Sequence, residues 1–194
     1  MVAVLAIGGV SVLLATQRQP GPGTAREPAG AVGDRGCGTG LGLLSVGERV
    51  PDRCTVEAFR GGRLFAIGEF RGTKPMVLNF WASWCVFCIK EMPDFQRVYE
   101  QAGDRVVFLG LDLLGVQAET RGAAERLAVK TGVRYPLAYD EGGKLYARLS
   151  PRLLMPTTVF VRSDGVVAFR QFGPLDAAEL RTMIRKHLGV DVKG

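Results

Sequence analysis

Histidine is nearly missing from this chain: His187 is the single one among 194 residues. That excludes His-rich metal centres and argues against a Cys–His or Ser–His catalytic pair. Runs of basic residues are missing too. The net charge is +6, but the 25 lysines and arginines are scattered, which describes a solvated, mildly basic surface rather than a nucleic-acid footprint. A bilayer-length apolar run is also lacking. Residues 1–16 carry no charged side chain, yet at ~1.5 Å per residue they reach about 24 Å, short of the ~30 Å hydrocarbon core. Glycines around Cys37 resemble a phosphate loop, but their spacing misses the dinucleotide pattern and they follow no strand.

The apolar head has three readings: an export anchor whose true start lies upstream, a cleaved signal, or a buried helix. The Gly/Pro-rich tract that follows at once, residues 17–45, disfavours the last. It reads as a flexible tether, with a reach of about 30 Å. Residues 46–190 remain as one domain of ordinary size.

Within that domain the pattern is α/β. A hairpin is predicted over Val56 to Phe70 around Gly61-Gly62, and a strand buried on both faces over Met76 to Phe80. A helix follows from Val86 to about Gln101, then a strand from Arg105 to Leu111, a helix from Gln117 to Lys130 and a strand from Tyr135 to Tyr139. A short helix, Lys144 to Leu149, precedes a hairpin of Thr157 to Val161 and Val166 to Gln171. Asp176 to Leu188 closes the chain as a helix, with Asp176 and Glu179 as a capping-box pair and Gly189 as its stop. This order predicts a central mixed sheet with helices on both faces.

The chemistry is carried by Cys85 and Cys88. Two thiols three apart, after a buried strand and at the start of a helix, can close and reopen a disulfide on one turn. Cys88 belongs to the apolar stripe of that helix with Met92, Phe95 and Tyr99, whereas Lys90, Asp94, Arg97 and Gln101 lie opposite. Cys85 sits at the helix mouth, where free N–H groups favour a thiolate. Cys85 is therefore expected to attack and Cys88 to resolve. A zinc site would need a second such pair, which is absent. Glu91 falls on the same stripe as Cys88. Its carboxylate is either partly buried near the thiols, able to carry the Cys88 proton, or swung out to water. Pro93 interrupts the helix and predicts a bend. Pro156, after Met155, is a strand-start proline that fits either an edge or a cis peptide presenting the Met155 backbone to an extended partner. His187 is expected to act as a cation at the end of the closing helix.

Asn79-Phe80-Trp81-Ala82-Ser83-Trp84-Cys85, Cys88, Lys90-Glu91-Met92-Pro93, Met155-Pro156-Thr157-Thr158 and Ser163-Asp164-Gly165 together resemble the thioredoxin superfamily. They are most similar to the extracytoplasmic, membrane-tethered thiol-disulfide oxidoreductases of the TlpA/ResA type. The resemblance implies a thioredoxin fold with an N-terminal β-hairpin and an insertion after the second core strand. It implies Cys85 as nucleophile, Cys88 as resolver, Pro156 as the cis-proline facing them, and Glu91 as the acid that tunes the pair. Asn79 stands where cytosolic members carry a buried aspartate. The implied partners are a disulfide-containing client, apocytochrome c among the possibilities, a membrane thiol-reducing donor, and the membrane through the N-terminal segment. Neither cofactor nor metal is called for.

One departure is Phe87, where the family usually has proline before the second cysteine. It leaves the poise between reductant and oxidant open and makes Phe87, with Trp84 and Met155, a candidate docking surface. Cys37 and Cys54 are a candidate structural disulfide, closing a loop of ~17 residues; a free or lipidated Cys37 is the competing view. Two further readings compete for the site. A copper metallochaperone would ordinarily add a histidine ligand. A peroxide-consuming site would need a proline upstream of Ser83 and Cys85.

Overall fold

The computed structural model describes Cys37 and residues 42–194. Its sheet has seven strands in the order β2-β1-β5-β4-β3-β6-β7. The strands are β1 (Thr55–Ala58), β2 (Leu64–Ala66), β3 (Met76–Trp81), β4 (Val107–Asp112), β5 (Leu137–Tyr139), β6 (Thr157–Val161) and β7 (Val167–Phe172). Four helices accompany them: α1 (Val86–Ala102), α2 (Arg121–Thr131), α3 (Lys144–Leu149) and α4 (Ala177–Leu188).

β3 is the axis of the fold. All six of its residues are buried, which is why the run reads as continuously apolar rather than alternating. Val77 and Trp81 enter a core shared with α1 and α4. Met76, Leu78 and Phe80 enter a second core on the opposite face, with the N-terminal hairpin and α3. β3 runs parallel to β4 and antiparallel to β6, so the sheet is mixed, as expected. The β1–β2 hairpin joins it through antiparallel pairing of β1 with β5. α2, β5 and α3 form the insertion between β4 and β6. This is the thioredoxin fold.

Several local signals act as written. Asp176 accepts from the N–H groups of Ala178 and Glu179 while the Glu179 carboxylate accepts from Asp176 N, and Gly189 ends α4. In the β6–β7 turn, Gly165 takes φ +84°, a conformation open to a residue without Cβ.

Two expectations need correcting. α2 starts at Arg121, not Gln117. The preceding turn coils left-handed at Gly115, Gln117 and Ala118, and Thr120 is the cap, accepting from Ala123 N. Near the end of the stretch read as tether, Cys37 is 4% exposed and Leu44 7%. Cys37 is disulfide-bonded to Cys54, and Leu44 N donates to the Arg148 carbonyl. The packed domain thus recruits chain ahead of residue 46. The apolar head and most of the tether lie outside the described residues. Among the described residues, no helix is long and apolar enough to cross a membrane.

Candidate active site

The site forms where β3 ends and α1 begins. Trp81 closes the strand, Ala82-Ser83-Trp84 turn, and Cys85 N donates to the Ala82 carbonyl at 3.1 Å. Cys85 is the N-cap of α1: its Sγ accepts from Cys88 N at 3.1 Å. The sulfur therefore already occupies the anion position that a helix start creates. Cys85 and Cys88 are joined in a disulfide. The outer sulfur's residue keeps 6% exposure and the inner has none, the asymmetry expected when one thiol meets the client and the other waits.

Around this buried pair the surface is apolar. Trp84 is 38% exposed, Val86 59% and Phe87 55%. The Lys90 ammonium lies 5.8 Å from the Phe87 ring centre, a cation–π distance. The Met155–Pro156 peptide is cis. Phe80 pairs with Thr157, so Pro156 stands at the level of Trp81, at the end of the central strands from which Cys85 projects. The Pro156 carbonyl accepts from Gly173 N. Met155 is half-buried and packs against both cores, including the one that contains Cys85 and Cys88.

One turn below Cys88, Glu91 is 2% exposed. Its carboxylate is turned into the core rather than out to water. Oε1 accepts from Asn79 Nδ2 at 2.7 Å and Oε2 from Leu175 N at 3.1 Å. Burial pushes its proton affinity up to about 8, and these two donors only partly offset it. A group titrating there can hold or release a proton near neutral pH. Pro93 sits two residues on, exposed, within a helix that continues to Ala102.

Three contributors lie outside the sequence reading. Glu119 Oε2 accepts from both Ser83 N at 2.9 Å and Ser83 Oγ at 2.8 Å, tying the loop after β4 to the turn that presents Cys85. Asp112, paired with Trp81 across β3 and β4, is fully buried with neither oxygen hydrogen-bonded. Burial, together with Glu119 and Asp140, pushes it up to about 8. Tyr135, just ahead of β5, is buried in the same core as the cysteines. No motif marks any of them: each is an ordinary loop or strand-end residue until the topology brings it in.

His187 departs from expectation. It stacks face to face on Phe169, with centroids 4.1 Å apart, and burial followed by the Lys186 charge lowers its pKa. It is a neutral packing element rather than a helix-end cation. Among the described residues, no group of three or more His, Cys, Asp or Glu side chains is arranged to hold a metal ion.

Comparison with known proteins agrees with this geometry. Residues 46–170 match the model of the AhpC/TSA family. Thiol-disulfide oxidoreductase ResA of Bacillus thuringiensis subsp. konkukian (strain 97-27) is 26% identical over 144 residues, 74% of this chain and 79% of that protein. The ResA of Oceanobacillus iheyensis (strain DSM 14371 / CIP 107618 / JCM 11309 / KCTC 3954 / HTE831) is 30% identical over 129 residues, covering 64% of this chain and 57% of the relative. Among solved structures, a secreted Mycobacterium tuberculosis disulfide oxidoreductase homologous to E. coli DsbE superposes with a TM-score of 0.58 at 27% identity. It covers 68% of this chain and 94% of its own.

Proposed function

Because this chain belongs to the AhpC/TSA family, and within the thioredoxin superfamily is a thiol-disulfide oxidoreductase of the TlpA/ResA type, we propose that it reduces disulfides of exported proteins outside the cytoplasm. Cys85 is the nucleophile and Cys88 the resolving thiol. In the reduced protein the Cys85 thiolate attacks one sulfur of a client disulfide. A mixed disulfide forms, and the second client sulfur leaves as a thiolate that takes a proton. Glu91, in its ionised form, then accepts the Cys88 proton. The Cys88 thiolate attacks Cys85 Sγ, and the first client sulfur departs, also to be protonated. Two electrons have passed to the client, and the protein carries the Cys85–Cys88 disulfide.

One observation supports this reading above the others: a carboxyl held near pH 8 lies on the same helix face as the inner cysteine, one turn away. Proton transfer is what an exchange between a buried thiol and a client requires, and a group titrating near ambient pH serves it best. Trp84, Phe87 and Met155 form the docking surface, and cis-Pro156 presents backbone to an extended client strand. The client we favour is apocytochrome c before haem attachment. A membrane thiol-reducing protein recharges the pair, and the N-terminal apolar segment tethers the domain at the membrane surface.

The test is a reduction potential measured together with a trapping variant. A reductant of this fold lies near about −270 mV and a strong oxidant near about −120 mV. Phe87 replaces the usual proline between the cysteines, so a value near the latter would convert the assignment to disulfide formation. Cys88→Ala, expressed in the native host, is expected to retain a client on Cys85. Failure to recover any such adduct would refute the reductant reading.

A further inference from the structure

α3 is six residues long, too short to persist by its own hydrogen bonds. Two features hold it. Leu145, Tyr146 and Leu149 are buried in the core on their face of the sheet. The Asp140 carboxylate, just past β5, accepts from Leu145 N at 3.0 Å and from Tyr146 N at 2.8 Å. The Tyr146 ring also meets the Phe80 ring of β3 edge-on, with centroids 5.2 Å apart. A stiff side chain pinned at its backbone and along its ring delivers its hydroxyl to one fixed point.

That point is the loop ahead of Pro156. Tyr146 Oη accepts from Leu154 N at 2.8 Å. Its one proton is shared between the carbonyls of Leu154 at 2.8 Å and Arg152 at 3.1 Å. Thr157 Oγ1 donates to the same Leu154 carbonyl, and Ser150 Oγ donates to that of Arg152 at 2.8 Å. Both polar groups of the Leu154 backbone are thus taken up by side chains. The next residue is Met155, which enters the cis peptide. Among the described residues, its own backbone has no hydrogen-bond partner. A backbone held in place yet unpaired is what an extended chain requires in order to dock by main-chain pairing.

We propose, on the reductase reading given above, that Tyr146 is a positioning residue for the client: its hydroxyl fixes the Arg152–Leu154 backbone so that Met155 stands ready to pair with an extended client chain. The short helix of the insertion is thereby the mount of the docking backbone. Tyr146 lies in the core opposite the one that holds Cys85 and Cys88, so it acts on client binding and not on the sulfurs. Without its hydroxyl the loop would have to be ordered at each encounter, and that cost falls on affinity.

The experiment gives the full chain two substrates: an extended peptide carrying one disulfide, which needs the docking backbone, and a small aromatic disulfide, which does not. Tyr146→Phe keeps the ring against Phe80 and deletes only the hydroxyl. KM for the peptide is expected to rise about three- to tenfold, as the loss of one or two hydrogen bonds would give. The peptide kcat and the rate on the small disulfide should stay within about twofold of wild type. Hydrogen exchange at the Leu154 amide should speed up in parallel. Ser150→Ala, which removes only the tether on the Arg152 carbonyl, should raise the peptide KM by about twofold and serves if Tyr146→Phe does not fold. An unchanged peptide KM in the folded variant, or equal losses on both substrates, overturns the proposal while leaving the reductase assignment intact. A wild-type protein that reduces neither substrate overturns both.

Discussion

Asn79 and Glu91 meet inside the core: the amide of the strand residue donates to the carboxylate of the helix residue at 2.7 Å. The contact joins the centre of β3 to the helix that begins at Cys85. A carboxyl sealed in this way is expensive to ionise, and its cost should register in the stability of the whole domain.

Glu91 holds its proton up to about 8, against 4.5 for the free side chain. Between those values the folded protein binds more protons than the unfolded chain, so this group's contribution is complete below about 4.5 and is lost as pH rises through about 8. Asp112, raised from 3.8 to about 8, adds to the same slope. Denaturant unfolding from pH 5 to pH 9 should show Glu91→Gln and Asp112→Asn each flattening the decline, with the mutant gaining on wild type toward pH 9. An unchanged slope in both would mean that neither group is protonated in the native state.

Alkylation of the reduced protein should separate the two thiols. Cys85, at the helix N-cap, is expected to react first and at neutral pH, whereas fully buried Cys88 should resist reagent until denaturation. Cys85→Ser should abolish reductase activity. Equal reactivity of the two thiols, read by mass spectrometry of the alkylated peptides, would contradict the N-cap argument.

Cys37 and Cys54 close a loop with a separation of 17. A bridge of that length is worth about 3 kcal/mol through the unfolded state. Cys37→Ser with Cys54→Ser should lower the denaturant midpoint by a corresponding amount while leaving the Cys85–Cys88 potential within experimental error. A change confined to the potential would instead couple this bridge to the active site.

Phe87 is 55% exposed and Trp84 38%. Replacing either with alanine removes surface that the fold does not need, so stability should stay within about 0.5 kcal/mol. Client affinity should fall several-fold, read as a raised KM for a disulfide-bearing peptide. Loss of turnover without a change in KM would place these rings in the chemistry rather than in docking.

Glu119 satisfies both donors of Ser83. Glu119→Ala would leave a part-buried backbone N–H unpaired, at a cost of about 1–3 kcal/mol. The Cys85 turn should loosen with it, seen as faster hydrogen exchange at Ser83 and Trp84. Protection unchanged at both amides would remove Glu119 from any role in holding the site.

Much was legible in the chain because the signals are local. The two cysteines at a helix mouth, the two-faced apolar strand before them, the hairpin turns and the Asp176–Glu179 cap all lie within a few residues of what they determine, where backbone geometry and side-chain period act directly. Even the bounds of α3 and β6 follow from such patterns. The start of α2 did not, because the chain ahead of it turns left-handed at Gln117 and Ala118, a backbone state that residues other than glycine rarely adopt and that the local sequence does not announce. Whether Glu91 faced water or core was equally open from spacing alone, since its helical position allows both. Only the Asn79 amide on β3 and the Leu175 N–H ahead of α4 decided it. The pairing of Cys37 with Cys54 was one of the readings the sequence left open, and the approach of Tyr135 to Gly110 required β5 to align with β4. Sequence determined where the sulfurs stand on their helix. Tertiary packing decided which carboxyl was stripped of water beneath them, because desolvation depends on everything that surrounds a group and not on its neighbours in the chain.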